Sequence, residues 1–151
     1  MGNTYWTLDE YQSHFALWAA LKAPLLIGCG IIGITSQSLA ILGNEEVIAV
    51  NQDPLGVQAD LMVNEETSSY HRQIWGGPLS DNRYVFVCFN RHPDWTTFRM
   101  DFAALLPNKK VIAIREIIEK IDVVVPKDTI FWSKTVKSYA SAMYVIEYRT
   151  L

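Results

Sequence analysis

Cysteine is scarce in this chain. Cys29 and Cys88 are the only two among its 151 residues. There is no C-x-x-C and no Cys/His cluster, which argues against a structural metal site. Both cysteines stand in apolar runs, so buried free thiols are the first reading, with a disulfide or a catalytic thiol as the alternatives. Long hydrophobic runs are missing too: none approaches the roughly 18 residues of a membrane span, and no membrane partner is expected. Basic residues are few and scattered, with only Lys109-Lys110 adjacent, and the net charge is -3 with a pI of about 5.5. That excludes the electrostatic footprint of a nucleic-acid binder. The opening Met1-Gly2-Asn3 runs straight into Tyr5-Trp6, unlike a signal peptide. It also misses the myristoylation pattern, because position 6 is Trp. The three histidines, His14, His71 and His92, are far apart in sequence, and His14 fits a packed helix residue better than a base. No internal repeat, no low-complexity linker and no cofactor motif is present.

What is present is enough apolar material for a core: half the residues are hydrophobic and 19% are charged. The length suits one domain or a piece of a larger one. Thr7-Leu8-Asp9-Glu10 forms a capping box, followed by Leu8, Tyr11, Phe15 and Trp18 at helical spacing. Leu17, Leu21 and several alanines widen that stripe, as in a helix covered on more than one side. Pro24 ends it. Leu25-Leu26-Ile27 is apolar without alternation and leads into Gly28-Cys29-Gly30, which predicts a parallel strand buried on both faces. A short helix is expected over 36–42, closed by Gly43-Asn44. Asn44 then caps another, with Glu45 and Glu46 in its first turn. Asn51-Gln52-Asp53-Pro54-Leu55-Gly56 is a turn, best read as a structural junction.

Beyond Gly56 the texture becomes β. Strands are expected over 57–63, 70–75, 83–89, 96–102, 111–119, 121–125, 129–136 and 142–149, separated by turn residues as in an antiparallel sandwich. The run 111–120 also suits a helix through Ile114, Ile117, Ile118 and Ile121, but strand is preferred. The fold class is therefore α/β plus all-β, divided into 1–56 and 57–151. One strand with two or three helices cannot cover itself, and a (β/α)8 barrel typically takes about 250 residues.

Several blocks carry a family likeness: Glu10-Tyr11-Gln12-Ser13-His14-Phe15-Ala16-Leu17-Trp18-Ala19, Lys22-Ala23-Pro24-Leu25-Leu26-Ile27-Gly28-Cys29 and Glu46-Val47-Ile48-Ala49-Val50-Asn51-Gln52-Asp53-Pro54-Leu55-Gly56. Ile74-Trp75-Gly76-Gly77-Pro78-Leu79-Ser80 and a weaker match around Ser138-Tyr139-Ala140 continue it. Together they resemble the α-galactosidase (melibiase) family of glycoside hydrolases. The resemblance implies a (β/α)8 barrel followed by a C-terminal antiparallel β-sandwich. This chain would hold a terminal fragment of the barrel (its last helices and eighth strand) and the whole sandwich. It also implies a retaining hydrolysis of terminal α-galactosyl groups, performed by two carboxyl groups about 5–5.5 Å apart. In the family both are aspartates on earlier barrel strands, one of them in a Lys-Tyr-Asp motif that this chain lacks. Its carboxylates before Gly56 are Asp9, Glu10, Glu45, Glu46 and Asp53, all explained by caps and turns. No catalytic residue carries over. An upstream catalytic half is the implied partner, and an α-galactoside is the substrate only in the context of a full barrel. Relatives are commonly secreted, lysosomal or vacuolar.

Two weaker candidate sites remain. Where family members usually read Gly-Cys-Asp with an Arg two residues on, this chain has Gly28-Cys29-Gly30 and Ile32. Cys29 and Gly30 are either substrate-rim residues or a simple tight strand exit. The departure is either a drifted rim or a sequence freed from catalytic constraint. Trp75, Trp95 and Trp132 either stack against sugar rings or pack as core and turn aromatics. The non-enzymatic alternative is a carbohydrate-binding or interaction module, and a relic without function is the third reading.

Overall fold

The computed structural model describes residues 5–151, so the reading of Met1-Gly2-Asn3 given above lies outside the described residues. Three helices come first: α1 (Leu8–Ala20), α2 (Ser36–Leu42) and α3 (Glu45–Asn51). The capping box forms as expected: the Glu10 amide donates to Thr7 Oγ1 (3.2 Å), and the Thr7 amide to Glu10 Oε2 (2.7 Å). On α1 the buried stripe is Phe15, Ala16, Ala19 and Ala20, with Trp18 and Tyr11 half-buried at its margin. Leu8, placed on that stripe by spacing, is exposed.

The β region holds β1 (Asp60–Glu66), β2 (His71–Leu79), β3 (Arg83–Asn90), β4 (Arg99–Asp101), β5 (Lys109–Glu116), β6 (Ile121–Val123), β7 (Ile130–Trp132) and β8 (Ser141–Thr150). A one-turn helix, α4 (Phe102–Leu105), follows β4, capped where Asp101 Oδ1 accepts from the Ala103 amide. The main sheet runs β1-β2-β3-β8-β5-β6, and β4-β7 forms a second, two-stranded sheet; every ladder is antiparallel. Residues 109–116 are strand because Ile114 pairs with Ile146 on one side and Val123 on the other. The ladder stops at Glu116, and Ile117 and Ile118 lie in a turn.

Alternation along the strands divides the core in two. Ile74, Phe86, Cys88, Ala142 and Tyr144 face the layer of β4, β7 and α4, meeting Met100, Phe102 and Phe131. Their neighbours Leu79, Val85, Val87 and Met143 face the other way and share a cluster with Phe15, Ala19, Val47 and Val50 of the helices. The chain is thus a three-layer stack in which helices and sandwich share a core. At Gly77 the linker crosses β2 so closely that a Cβ would lie 2.9 Å from the Ala59 Cα, a backbone contact that cannot give way.

A larger expectation fails. Residues 25–29 form no strand; they are irregular backbone, with Leu26 and Ile27 exposed. A strand buried on both faces needs a neighbour on each edge and a layer on each face, and none of the described residues supplies either. The sequence placed its apolar character correctly, but pairing is not local.

Candidate functional site

The helix-bearing end of the molecule is fixed to the sandwich by three polar nodes. The first is the Asn51-Gln52-Asp53-Pro54 turn. Asn51 Nδ2 donates to the Ala23 carbonyl (2.8 Å), holding the exit of α1, and the Lys22 ammonium donates to the Val50 carbonyl. Asp53, 6% exposed, turns toward the β2–β3 hairpin. Its Oδ1 accepts from the amides of Leu55 (3.1 Å) and Ser80 (2.9 Å), and its Oδ2 from Ser80 Oγ (2.8 Å) and the Arg83 guanidinium (3.1 Å). Burial pushes the Asp53 carboxyl up, but the Ser80 and Leu55 hydrogen bonds and the Lys22 charge outweigh it, leaving the pKa below its ordinary value. Every acceptor position of this carboxylate is spent on the fold.

The second node is Asn44, whose Oδ1 caps α3 while its Nδ2 donates to the Ile117 carbonyl (3.0 Å). The third is a fork from Arg115 to both oxygens of Glu46 (2.7 and 2.8 Å), with Asp122 on the remaining nitrogen (2.8 Å). The hydrogen bonds from Arg115 hold the Glu46 carboxyl below its ordinary range. These groups line a cleft of about 260 Å³, where they satisfy one another.

Cys29 and Gly30 sit on a protruding segment, 24–34. Cys29 is half-buried and Gly30 exposed, while Leu26, Ile27, Ile31 and Ile32 present their side chains outward. A Cβ added at Gly30 would meet nothing within 4 Å, so packing does not demand glycine there. Both cysteines are free, and burial pushes the Cys88 thiol well up.

The tryptophans do not come together. Trp75 lies half-buried on the helix side of the main sheet, its indole N–H donating to Gln73 Oε1 (3.2 Å). Trp132 belongs to β7 in the opposite layer, paired with Arg99 and 57% exposed; Trp95, in the preceding turn region, is 65% exposed. His14 lies between the rings of Trp6 and Trp18 (centroids 5.7 and 5.6 Å) and partial burial lowers its pKa. His71 and His92 meet edge to face at 5.6 Å, a proximity hidden in their sequence separation. Among the described residues no group of three His, Cys, Asp or Glu could hold a metal ion, and no helix is long and apolar enough to cross a membrane.

Sequence reasoning also passed over Glu116. Its carboxylate is 2% exposed and accepts from the amides of Glu119 (2.6 Å) and Met143 (3.2 Å), with the Lys134 ammonium 3.4 Å away. Lys134 also reaches Glu119 (2.5 Å). Two carboxylates share one cation here, as a structural clamp on the β5–β6 turn and β8. Nothing local announced it, because Met143 and Lys134 come from far along the chain.

Comparison with known proteins gives a consistent likeness. Residues 1–53 match the family model described as alpha galactosidase A, and residues 69–146 that of the alpha galactosidase C-terminal beta sandwich domain. Alpha-galactosidase 3 of Arabidopsis thaliana is 37% identical over 100% of this chain and 34% of its own length. The alpha-galactosidase of Cyamopsis tetragonoloba is 35% identical over 99% of this chain and 35% of its own. The crystal structure of alpha-galactosidase I from Mortierella vinacea superposes with a TM-score of 0.86 at 25% identity, covering 97% of this chain and 37% of that one. The chain spans about a third of the length of these curated relatives.

Proposed function

The chain belongs to the α-galactosidase family of glycoside hydrolases, and from that premise we propose that it supplies the C-terminal portion of a retaining α-galactosidase. In this reading residues up to Gly56 belong to the barrel and the remainder is the sandwich. Residues 25–29 serve as the eighth strand once an upstream barrel half offers edges on both sides. That half carries the nucleophile and the acid/base, and the assembled protein hydrolyses terminal α-galactosyl groups.

The observation that carries the reading is the outward apolar segment. Leu26, Ile27, Ile31 and Ile32 are 76%, 55%, 68% and 102% exposed within seven residues of the stretch that matches alpha galactosidase A. Unpaired apolar backbone of this kind is what a missing sheet neighbour leaves behind. The junction node at Asp53 then serves to hold that segment against the sandwich, not to react.

The test is p-nitrophenyl α-galactoside turnover by the pure chain, and by the chain fused behind the upstream barrel of the Arabidopsis relative. The expected result is no turnover by the chain alone and turnover by the fusion. Activity of the pure chain, retained after repurification, would overturn the proposal.

The exposed indoles of Trp95 and Trp132 favour one further reading: the outer face of the sandwich touches sugar in its own right. It predicts saturable galactose binding lost on Trp132→Ala, and a flat calorimetric titration counts against it.

A further inference from the structure

The exit of the barrel segment is almost bare of polar side chains. From residue 23 to residue 34 the Cys29 thiol is the only side chain able to hydrogen-bond. Residues 31–34 form a turn whose shape is local. The Ile34 amide donates to the Ile31 carbonyl (3.3 Å), and Gly33 holds a positive φ of 82° at the third position, which favours glycine. Ile32 is thereby the tip residue and is fully exposed, with Ile31 exposed beside it. On the far side Thr35 caps α2, its Oγ1 accepting from the Ser38 amide (3.1 Å). Ile41 ties α2 into the cluster of Phe15 and Ala19, so the turn stands at the start of a helix anchored to α1.

The exposure of Leu26 and Ile27 has a different origin, since in the reading above those residues await strand neighbours. A completed sheet covers them and leaves the turn beyond Gly30 at the C-terminal end of the strand. In a (β/α)8 barrel that end is the face on which substrates bind. A sugar hydroxyl placed against this turn would give up water and find no side chain to answer it, an uncompensated loss. An alkyl group placed there gains instead, by roughly fourfold in binding for each methylene taken out of water.

We infer that Ile31 and Ile32 form an aglycone contact, and that the substrate carries an apolar alkyl group, not a second sugar, beyond its α-galactosyl bond. This rests on the barrel reading above and adds to it the class of leaving group. Two or three methylenes laid on the turn give roughly 15- to 60-fold in kcat/KM.

The experiment uses the fusion behind the upstream Arabidopsis barrel together with the pure 151-residue chain. With the fusion, kcat/KM is measured for octyl α-galactoside, methyl α-galactoside and melibiose, whose leaving group is a sugar. The expected result is a preference of about tenfold or more for the octyl compound over both others, falling below about threefold in Ile32→Asp. Ile32 is fully exposed at a turn tip, so this substitution leaves folding intact. An octyl preference that is missing, or that survives Ile32→Asp, would overturn the inference, while turnover of p-nitrophenyl α-galactoside by the same fusion would keep the reading above. If the fusion turns over none of these substrates, the reading above fails by itself and the pure chain decides. There, octyl α-galactoside below its micelle concentration should shift the Ile32 and Gly33 backbone amides saturably in ¹⁵N–¹H spectra. Methyl α-galactoside should not, and Ile32→Asp should abolish the response. Unmoved amides, or equal shifts with the methyl compound, would then overturn the inference.

Discussion

Replacing Asp53 with alanine tests whether the junction carboxylate is an element of the fold and not of the chemistry. The substitution removes acceptors from the Leu55 and Ser80 amides, the Ser80 hydroxyl and the Arg83 guanidinium. The two amides lie beneath a residue 6% exposed and find no ready replacement, while Arg83, with a third of its side chain exposed, turns to water. Counting about 1–2 kcal/mol for each of the two stranded amides and about 0.5–1 for the rest, the loss is about 2.5–5 kcal/mol. That is a large share of the roughly 5–15 kcal/mol that holds a domain folded. With a urea m-value of about 2 kcal/mol/M, the midpoint should fall by roughly 1.2–2.5 M. Asp53→Asn keeps one oxygen for the two amides and should cost about 1–2 kcal/mol.

Acid gives an independent check. The folded pKa of Asp53 is depressed, so the carboxylate's contribution is complete above its unfolded value of about 3.9 and is lost as pH falls through the lower folded value. The advantage of the wild type over Asp53→Asn should therefore hold at pH 7 and shrink below about pH 4. Urea unfolding followed by far-ultraviolet circular dichroism measures both effects. A midpoint shift below about 0.5 M for the alanine variant, or a wild-type advantage over Asp53→Asn unchanged down to pH 3, would refute the reasoning.

Three further outcomes are expected. Asn44→Ala removes both the α3 cap and the bond to the Ile117 carbonyl, costing about 2 kcal/mol; a urea midpoint within error of wild type would contradict this. Native protein should titrate one thiol with a disulfide reagent, Cys29, and two in denaturant, since Cys88 is fully buried with its thiol pKa raised; two fast thiols in the native state would place Cys88 elsewhere. Trp75→Ala should lower stability by about 2 kcal/mol, whereas Trp132→Ala stays within about 0.5; equal effects would mean the two indoles are not divided between packed and open surroundings.

What the sequence disclosed follows the reach of each interaction. The Thr7–Glu10 box, the helix at Ser36–Leu42 and the Asn44 cap depend on neighbours within four residues, and all are present. The β strands were located, but their ends were not. The run expected over 96–102 shortens to Arg99–Asp101: Asp101 caps a helical turn at its end, and at its start only an isolated bridge from Thr96 to Val136 remains, while 129–136 shortens to Ile130–Trp132. Residues 25–29 were misjudged because apolar content sets what a segment can pair with, while only a distant edge decides that it does. The same limit applies to the sites. Asp53 was legible as a turn residue, but its partners at Ser80 and Arg83 were not.

The strand order has a consequence for how the protein is made. β8 is the last of the eight strands in chain order, yet it lies between β3 and β5 and supplies a ladder to each. During synthesis β1, β2 and β3 can form their meander as soon as they leave the ribosome. From then until Ser141–Thr150 emerges, β3 holds Val85-Phe86-Val87-Cys88-Phe89 with one backbone edge open and both faces apolar. That segment is short, uncharged and rich in β-formers, the composition that templates intermolecular sheet. The exposed interval is set by translation speed, not by the stability of the finished fold. The ladders that join the two halves of the main sheet are therefore closed only once its last strand is in place.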